Sequence, residues 1–127
     1  MIVVDTSALM AIVQDEPQAD ACIALLESET DVLISAATVA EALIVSGRRG
    51  FQPKMAHTID AFGFVIAPVS AVTARRVAEV YARWGKGVHA ASLNLGDCFA
   101  YDLARESDCP LLYVGQDFAK TDVTSAL

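Results

Sequence analysis

Four short apolar runs, separated by longer amphipathic segments, set the pattern of hydrophobic and polar positions along the chain. They cover residues 2–4, 32–34, 64–66 and 111–114, and each is short enough to be a buried strand. Between them, the spacing of apolar residues predicts helices over 18–29, 36–45, 53–62, 71–84 and 96–106. Strands that alternate with helices in this way predict an α/β fold with a parallel sheet covered on both faces.

Two of the predicted helices carry specific expectations about burial. In the segment 71–84 the apolar residues that recur at helical spacing are expected to face the core, and they are Ala74, Val77, Ala78, Tyr81 and Trp84. In the segment 96–106, Asp102 falls on the polar flank and is expected to be solvated. These expectations fix how each helix should be turned toward the sheet.

Length and composition limit the possible classes of protein. A chain of 127 residues is expected to form one domain, and 54% hydrophobic residues are enough for a core. No apolar run is long enough to span a membrane, and the first residues lack the basic region of a secretory signal. Cys22, Cys98 and Cys109 show no CxxC spacing, which predicts neither a disulfide framework nor a zinc site and favours a cytoplasmic location.

Charge is distributed unevenly along the chain. The net charge of −7, taken alone, argues against a nucleic-acid partner. However, residues 1–47 contain eight acids and no lysine or arginine, whereas residues 48–86 contain seven of the nine basic residues. Because positive charge is concentrated in the middle of the sequence, local binding of phosphate groups stays possible in an acidic protein.

Four acids occupy positions where an unpaired charge is unexpected. Asp5 directly follows the first apolar run, and Asp117 follows the last one. Glu41 is the only charged residue in the apolar segment 35–47, and Asp97 lies in the first turn of a predicted helix. Each acid alone also has an ordinary structural interpretation, such as a solvent-facing strip, a helix N-terminus or a turn. The carboxyl ends of parallel strands are nevertheless where open α/β sheets bind ligands.

The four acids together predict a metal site. No lysine or arginine lies within several residues of Asp5, Glu41 or Asp97, so these carboxylates would repel one another if the fold brings them together. Mg²⁺ and Mn²⁺ prefer oxygen ligands and would relieve this repulsion. Since Mg²⁺ keeps several waters and leaves room for a phosphate oxygen, the site would suit phosphodiester hydrolysis.

The segments that carry these acids resemble a known family. They are DTSAL at 5–9, SAATVAEAL at 35–43, NLGDCFAYDLA at 94–104 and PLLYVGQDFAKTDV at 110–123, with YARWGKGVHAASLNLGDC at 81–98. In order and spacing the chain resembles the PIN-domain ribonucleases, and among them the VapC toxins of bacterial VapBC toxin–antitoxin pairs. The resemblance implies a single PIN domain over residues 1–127, built as a three-layer α/β/α sandwich around a central parallel sheet.

The same resemblance implies a function and partners. It implies a toxin that acts as an endoribonuclease dependent on Mg²⁺ or Mn²⁺ and cleaves structured RNA, often tRNA. It also implies a homodimer that a cognate VapB-type antitoxin neutralises, with no role for a membrane.

Site residues follow from matching the family's motif to this chain. The acidic motif falls on Asp5, Glu41, Asp97 and Asp117. Asp5 and Asp97 would hold the metal directly, while Thr6 or Ser7 would hydrogen-bond the metal-holding carboxylates. Asp122 follows closely in the family's TD pair, so it could exchange roles with the fourth acid.

RNA would need basic residues, and the predicted helix over 71–84 carries several. Arg76 and Arg83 share a face with Glu79, and Arg75 and Lys86 lie near the edges of that face. One interpretation is a solvated surface on which Arg76 and Arg83 form ion pairs with Glu79. The other is a basic rim that holds RNA phosphates beside the acidic site, to which Arg48, Arg49 and Lys54 would add. Its affinity for RNA would fall steeply with salt.

Two alternatives to a nuclease stay open. A phosphoacceptor signalling module also gathers acids around Mg²⁺, but it needs an aspartate after a middle strand, where this chain has Pro68, Val69 and Ser70. A PIN-like domain that has lost catalysis and acts only through protein interactions is the second alternative. A haloacid-dehalogenase-type phosphatase is disfavoured because Ser7 replaces the second aspartate of its DxD motif, and the absence of GxGxxG and P-loop motifs disfavours nucleotide-binding folds.

Overall fold

The sheet consists of four parallel strands, each only two to four residues long. The structure, a computed structural model, describes residues 1–127. The strands are β1 (Ile2–Val4), β2 (Val32–Ser35), β3 (Val65–Ala67) and β4 (Leu111–Leu112), in the order β3-β2-β1-β4. In register, Ile2 pairs with Val32 and Val3 pairs with Leu111. The predicted parallel sheet is confirmed, although β4 ends two residues before its predicted boundary.

Six α-helices and one short 3₁₀ helix connect and follow these strands. They are α1 (Thr6–Val13), α2 (Ala19–Ser28), α3 (Ala36–Arg48), α4 (Gln52–Phe62), α5 (Ala71–Trp84), α6 (Leu95–Glu106) and the 3₁₀ helix Phe118–Lys120. Helix α1 was not predicted because residues 8–13 are all apolar, so they lack the helical period that distinguishes a helix from other buried segments. No helix has the length and hydrophobicity that crossing a membrane requires.

Alternating side chains divide the core between the two faces of the sheet. Ile2 and Val4 of the central strand β1 point toward helices α1 to α4, while Val3 points toward α5 and α6. Leu112 and Leu111 of β4 divide in the same way. This period-two alternation creates two hydrophobic clusters with the sheet between them, which is the three-layer α/β/α arrangement.

The expectation that all four strands are buried is wrong for β3. Val65 and Ile66 are each 52% exposed. This strand lies at the edge of the sheet and pairs only with β2. Since α5 packs mainly against α6, the helical layer does not cover this edge.

Helix α5 is turned differently from the prediction. Val77 and Trp84 are buried as expected, but the other members of the predicted stripe, Ala74, Ala78 and Tyr81, are exposed. Helix α5 instead turns a polar residue toward α6, and that residue is half-buried Arg76.

The reason for this orientation is a buried acid on α6. Asp102 is only 5% exposed, so the expectation that it is solvated is wrong. Its carboxylate accepts two hydrogen bonds from Arg76, Nε to Oδ1 at 2.9 Å and Nη2 to Oδ2 at 3.1 Å. A buried carboxylate requires a partner of this kind, and the predicted stripe of apolar residues did not allow for one.

Candidate active site

Asp5 lies where β1 ends and α1 begins, and it serves both elements. Its backbone is extended, and its side-chain Oδ2 accepts a hydrogen bond from the Ser7 amide at 3.0 Å, so it is the N-cap of α1. The Ser7 hydroxyl donates to the same oxygen at 2.7 Å. The residue is 2% exposed, and its other oxygen, Oδ1, is buried without any partner. One carboxylate oxygen is therefore held by the protein, and the other is left available.

Ser7 also connects the ends of two neighbouring strands, β1 and the edge strand β4. Its hydroxyl oxygen accepts a hydrogen bond from the Val114 amide at 3.0 Å, while its proton goes to Asp5. Val114 belongs to the segment that leads from β4 to Asp117. The hydroxyl thus holds the chain after β4 against the carboxylate at the end of β1.

Glu41 reaches the same end of the sheet from α3. The Thr6 hydroxyl donates to its Oε1 at 2.5 Å. Gly96, in the first turn of α6, lies so close to the carboxylate that a Cβ at that position would overlap Glu41 Oε2. The missing side chain of Gly96 therefore allows the two helices to approach with a carboxylate between them.

Asp97 is fixed at the N-terminus of α6 by a capping box. Asn94 Oδ1 accepts from the Asp97 amide at 2.8 Å, and Asp97 Oδ2 accepts from the Asn94 amide at 3.0 Å. The ordinary interpretation of Asp97 as a first-turn acid is therefore correct, and the capping box also holds its side chain beside the other acids.

Two neighbouring clefts bring the predicted acids together. An open cleft of about 360 Å³ is lined by Asp5, Glu41 and Asp97. A smaller one of about 100 Å³ is lined by Asp5, Asp97 and Asp117. Asp5 and Asp97 belong to both, so they lie at the centre of the acidic group.

Asp122 lies elsewhere, although the sequence allowed it to exchange roles with Asp117. Its Oδ1 accepts a hydrogen bond from the Tyr101 hydroxyl at 2.5 Å, and its Oδ2 lies 3.8 Å from Arg83 Nη2. The Tyr101 hydroxyl in turn accepts from Trp84 Nε1 at 3.1 Å. Asp122 thus holds the C-terminal segment against α5 and α6, and it lines neither acidic cleft.

Burial and mutual repulsion raise the pKa of the two central acids. Burial raises the pKa of Asp5 to about 7, against the lowering effect of the Ser7 hydrogen bonds, and the charges of Asp97 and Glu41 raise it further. Burial also raises the pKa of Asp97 to about 6, with added repulsion from Glu41 and Asp117. The charged state of this cleft is therefore costly in the absence of a cation.

The donor set suits a hard divalent cation. The available donors are carboxylate oxygens, and the unpartnered, buried Asp5 Oδ1 is the kind of atom that a cation would satisfy. No three acidic, histidine or cysteine side chains are close enough to form a complete ligand cluster on their own. This spacing fits Mg²⁺, which takes one or two carboxylates and keeps several waters, better than an ion enclosed entirely by protein ligands.

The four basic residues predicted to bind RNA do not line the acidic clefts. Arg76 is paired with Asp102 and, at 3.2 Å, with Glu106. Arg83 stacks over the Trp84 ring, 4.6 Å from its centroid. Neither Arg76 nor Arg83 forms the expected ion pair with Glu79. Arg75 and Lys86 are exposed.

Sequence reasoning missed several residues that shape the cleft. Asn94 was detectable, because Asn-x-x-Asp before an amphipathic segment is a capping-box pattern. Gly96 gave no such signal, since its role depends on a residue 55 positions earlier in the chain, Glu41. Gln14, which also lines the cleft, ends α1 and has no motif of its own. Arg49 was predicted as one of the basic residues that add to an RNA-holding rim, and the structure places it in the cleft wall at the end of α3.

Comparisons with known proteins give one consistent result. Residues 2–123 match the family described as PIN domain. The chain is 37% identical over 127 residues to VapC ribonuclease Mb0640 of Mycobacterium bovis, covering 98% of this chain and 97% of that protein.

Solved structures agree in fold. The crystal structure of Mycobacterium tuberculosis VapC20, described as a sarcin-ricin loop cleaving toxin, superposes with a TM-score of 0.80 at 17% identity, covering 99% of this chain and 98% of that one. A toxin–antitoxin complex from Klebsiella pneumoniae gives a TM-score of 0.70 at 19% identity, covering 96% and 93%. At these identities the likeness concerns the fold.

The raised pKa of Asp5 predicts a specific dependence of stability on pH. Because the folded protein holds this proton up to about pH 7, whereas the ordinary value is 3.8, the metal-free protein should lose stability from this group as the pH rises between these values. Asp5→Asn should remove that loss and raise the metal-free Tm at pH 8 by several degrees. Asp60→Asn, at an exposed acid of α4, is the control and should leave the difference between pH 5 and pH 8 unchanged. Thermal unfolding in chelator measures both, and a lower Tm for Asp5→Asn at pH 8 would contradict this account.

The close approach of Gly96 to Glu41 predicts that a methyl group at this position displaces the carboxylate. Gly96→Ala should break the Thr6–Glu41 hydrogen bond and reduce the rise in Tm that Mn²⁺ produces. Gly47→Ala is a matched change in another helix, where the added Cβ meets only ordinary contacts at 3.8 Å or more. That variant should keep the full response to Mn²⁺. An equal response from both variants would show that the contact is unimportant.

Proposed function

Because the chain belongs to the PIN-domain family and, within it, to the VapC ribonucleases, we propose that it is the toxin of a type II toxin–antitoxin pair and acts as a metal-dependent endoribonuclease. The observation that carries this proposal is the buried, unpartnered Oδ1 of Asp5 in a cleft shared with Glu41 and Asp97. Acids in this arrangement favour a divalent cation, and phosphodiester hydrolysis is the chemistry that such a site supports.

The proposed roles follow from what holds each side chain. Asp5 and Asp97 would hold the cation, Asp5 through its free oxygen, while the hydrogen bonds from Ser7 and Asn94 keep the two carboxylates in place. Glu41, whose Oε1 accepts the hydrogen bond from Thr6, would be able to orient the attacking water through Oε2. Asp117 completes the acidic group from the segment after β4, and Asp122 anchors that segment through Tyr101.

Dependence on a divalent metal is a general property of PIN-domain ribonucleases, and the oxygen donors here favour Mg²⁺ or Mn²⁺ among such ions. When bound, the cation would polarise a phosphate oxygen and lower the pKa of a coordinated water. The protein contributes the placement of its carboxylates, the exclusion of water from Asp5 and the orientation of Glu41.

The partners follow the same similarity. Structures of toxin–antitoxin complexes share this fold, which supports a VapB-type antitoxin as the partner of this chain. RNA is the proposed substrate, as the names of the VapC relatives indicate. We also propose a homodimer, in keeping with the exposed apolar side chains of Val65 and Ile66 on the edge strand and of Val72 at the start of α5.

The proposed function predicts that cleavage depends on the central acids. The purified protein should cleave cellular RNA in Mg²⁺ or Mn²⁺ and should be inactive in chelator. Asp5→Asn and Asp97→Asn should each lower the rate by more than the roughly 10–100-fold that changes next to a metal ligand cost. Asp60→Asn should cleave like the parent protein. Mapping of new RNA 5′ ends checks this result, and an Asp97→Asn variant with parental activity would overturn the assignment.

The two C-terminal aspartates should behave differently. Asp117→Asn should reduce the cleavage rate with little change in Tm, because this exposed residue lines the acidic cleft. Asp122→Asn should lower the Tm and reduce cleavage less, because its carboxylate bonds to Tyr101 outside the cleft. Initial rates and thermal unfolding of both variants separate the two roles, and the opposite ranking would identify Asp122 as the fourth acid.

A further inference from the structure

The larger of the two acidic clefts, of about 360 Å³, contains a single basic side chain, that of Arg49. Arg49 is the C-cap residue of α3 and is exposed. Its Nη1 donates a hydrogen bond of 3.1 Å to Oε1 of Gln14. Gln14 is the C-cap residue of α1. No carboxylate forms an ion pair with it, whereas Arg76 and Arg83 are both paired with acids. A guanidinium has five N–H donors, so most of those on Arg49 are free to bind a ligand.

Two helix faces place Arg49 in line with the acids. On α3, residues four positions apart line the cleft in the order Glu41, Val45 and Arg49. Thr6, Met10 and Gln14 do the same along α1. Eight residues of helix span roughly 12 Å between the backbones of Glu41 and Arg49. The hydrogen bond to Gln14 places the Arg49 guanidinium where α1 ends, at the opposite end of the two helix faces from Thr6 and Glu41.

This arrangement has a particular consequence for a polyanion. A phosphate near Asp5 requires a cation to overcome the repulsion from the carboxylates. The next phosphates along the same strand would also meet an acidic wall, which includes Glu16, unless a basic group lies there. Arg49 is the one residue in the cleft wall that can provide this attraction, and its planar guanidinium suits the two-oxygen edge of a phosphate.

We propose that Arg49 binds a phosphate of the RNA substrate that flanks the cleaved bond. This inference depends on the proposed ribonuclease function and adds to it the direction in which the strand leaves the acids, along the Glu41–Val45–Arg49 face of α3. Arg49 contributes to holding the substrate and takes no part in activating water, because its guanidinium is held by Gln14 at the end of the cleft wall opposite to Thr6 and Glu41.

The test compares binding and turnover for four variants. A short fluorescein-labelled, single-stranded RNA of mixed sequence serves as the probe, and its binding is measured by anisotropy in the inactive Asp97→Asn background with Mn²⁺ present. The variants are Arg49→Ala, Arg49→Lys, Gln14→Ala and Arg105→Ala. Arg105 is the matched control, because it is an exposed arginine without an ion pair and lines neither acidic cleft. Gln14→Ala removes the hydrogen bond to Arg49 but keeps the guanidinium.

Arg49→Ala should weaken RNA binding roughly tenfold, the size expected when one hydrogen-bonded charged contact is lost. The slope of log affinity against log salt should also fall by about 0.7, the value for one phosphate contact on a single strand. Arg49→Lys should restore part of the affinity, and Arg105→Ala should bind like the parent. Gln14→Ala, which keeps the guanidinium, should lose less affinity than Arg49→Ala. In the active background, Arg49→Ala should raise KM and leave kcat within about twofold, because it removes binding that substrate and transition state share.

An Arg49→Ala variant that binds RNA as Arg105→Ala does, with the same salt slope, would overturn the proposal even if the parent protein is an active nuclease. A kcat that falls with an unchanged KM would also overturn it, since the residue would then act on the chemical step. If the parent fails to cleave any RNA, the proposed function fails, and the anisotropy measurements still decide whether Arg49 contacts a phosphate.

Discussion

The structure depends on one electrostatic constraint, the burial of a carboxylate among other carboxylates. Asp5 is 2% exposed, lacks a partner for one oxygen and has Glu41 and Asp97 as its charged neighbours. A protein can support this arrangement by keeping a proton on the acid or by binding a cation, and burial raises the pKa of Asp5 to about 7, which favours the proton in the absence of metal. The same cost that favours the proton at low pH favours a divalent ion near neutral pH. Binding of a metal at this site would therefore be coupled to the stability of the fold through this group.

Local features at the carboxyl edge of the parallel sheet hold these carboxylates in place: two helix caps, one bridging hydroxyl group and one glycine. Asp5 and Asp97 both take part in capping helices, so their positions are fixed by backbone amides before any ligand arrives. Ser7 links the chain after β4 to the end of β1, and the absence of a side chain at Gly96 makes room for Glu41. Each of these features also satisfies a structural requirement of its own helix or strand. Because of this, the acids can be held rigidly together while one oxygen of Asp5 stays unpaired.

Much of this could be predicted from sequence, and the exceptions have identifiable physical causes. Alternating strands and helices predicted the parallel sheet, and acids without basic neighbours predicted the shared cleft. Burial was predicted less well, because it depends on which helix covers which face. Val65 looked like core but lies on an uncovered edge, and Asp102 looked solvated but is buried through its pairing with Arg76. Arg49 was predicted to add to a basic rim, but its placement in the wall of the acidic cleft, apart from the basic residues of α5, follows from how α1 and α3 end next to each other.

Charge is also arranged in space differently from its arrangement in the sequence. The basic residues of α5 are partly used in pairs with Asp102, Glu106 and Asp122, and Arg49 alone faces the acidic cleft.

The central claim, that a divalent cation occupies this cleft through the free oxygen of Asp5, is tested most directly by anomalous X-ray diffraction from crystals soaked in Mn²⁺. The account predicts an anomalous peak within direct coordination distance of Asp5 Oδ1 and next to Asp97. Crystals that take up Mn²⁺ only at other sites and leave this cleft without a peak would contradict it.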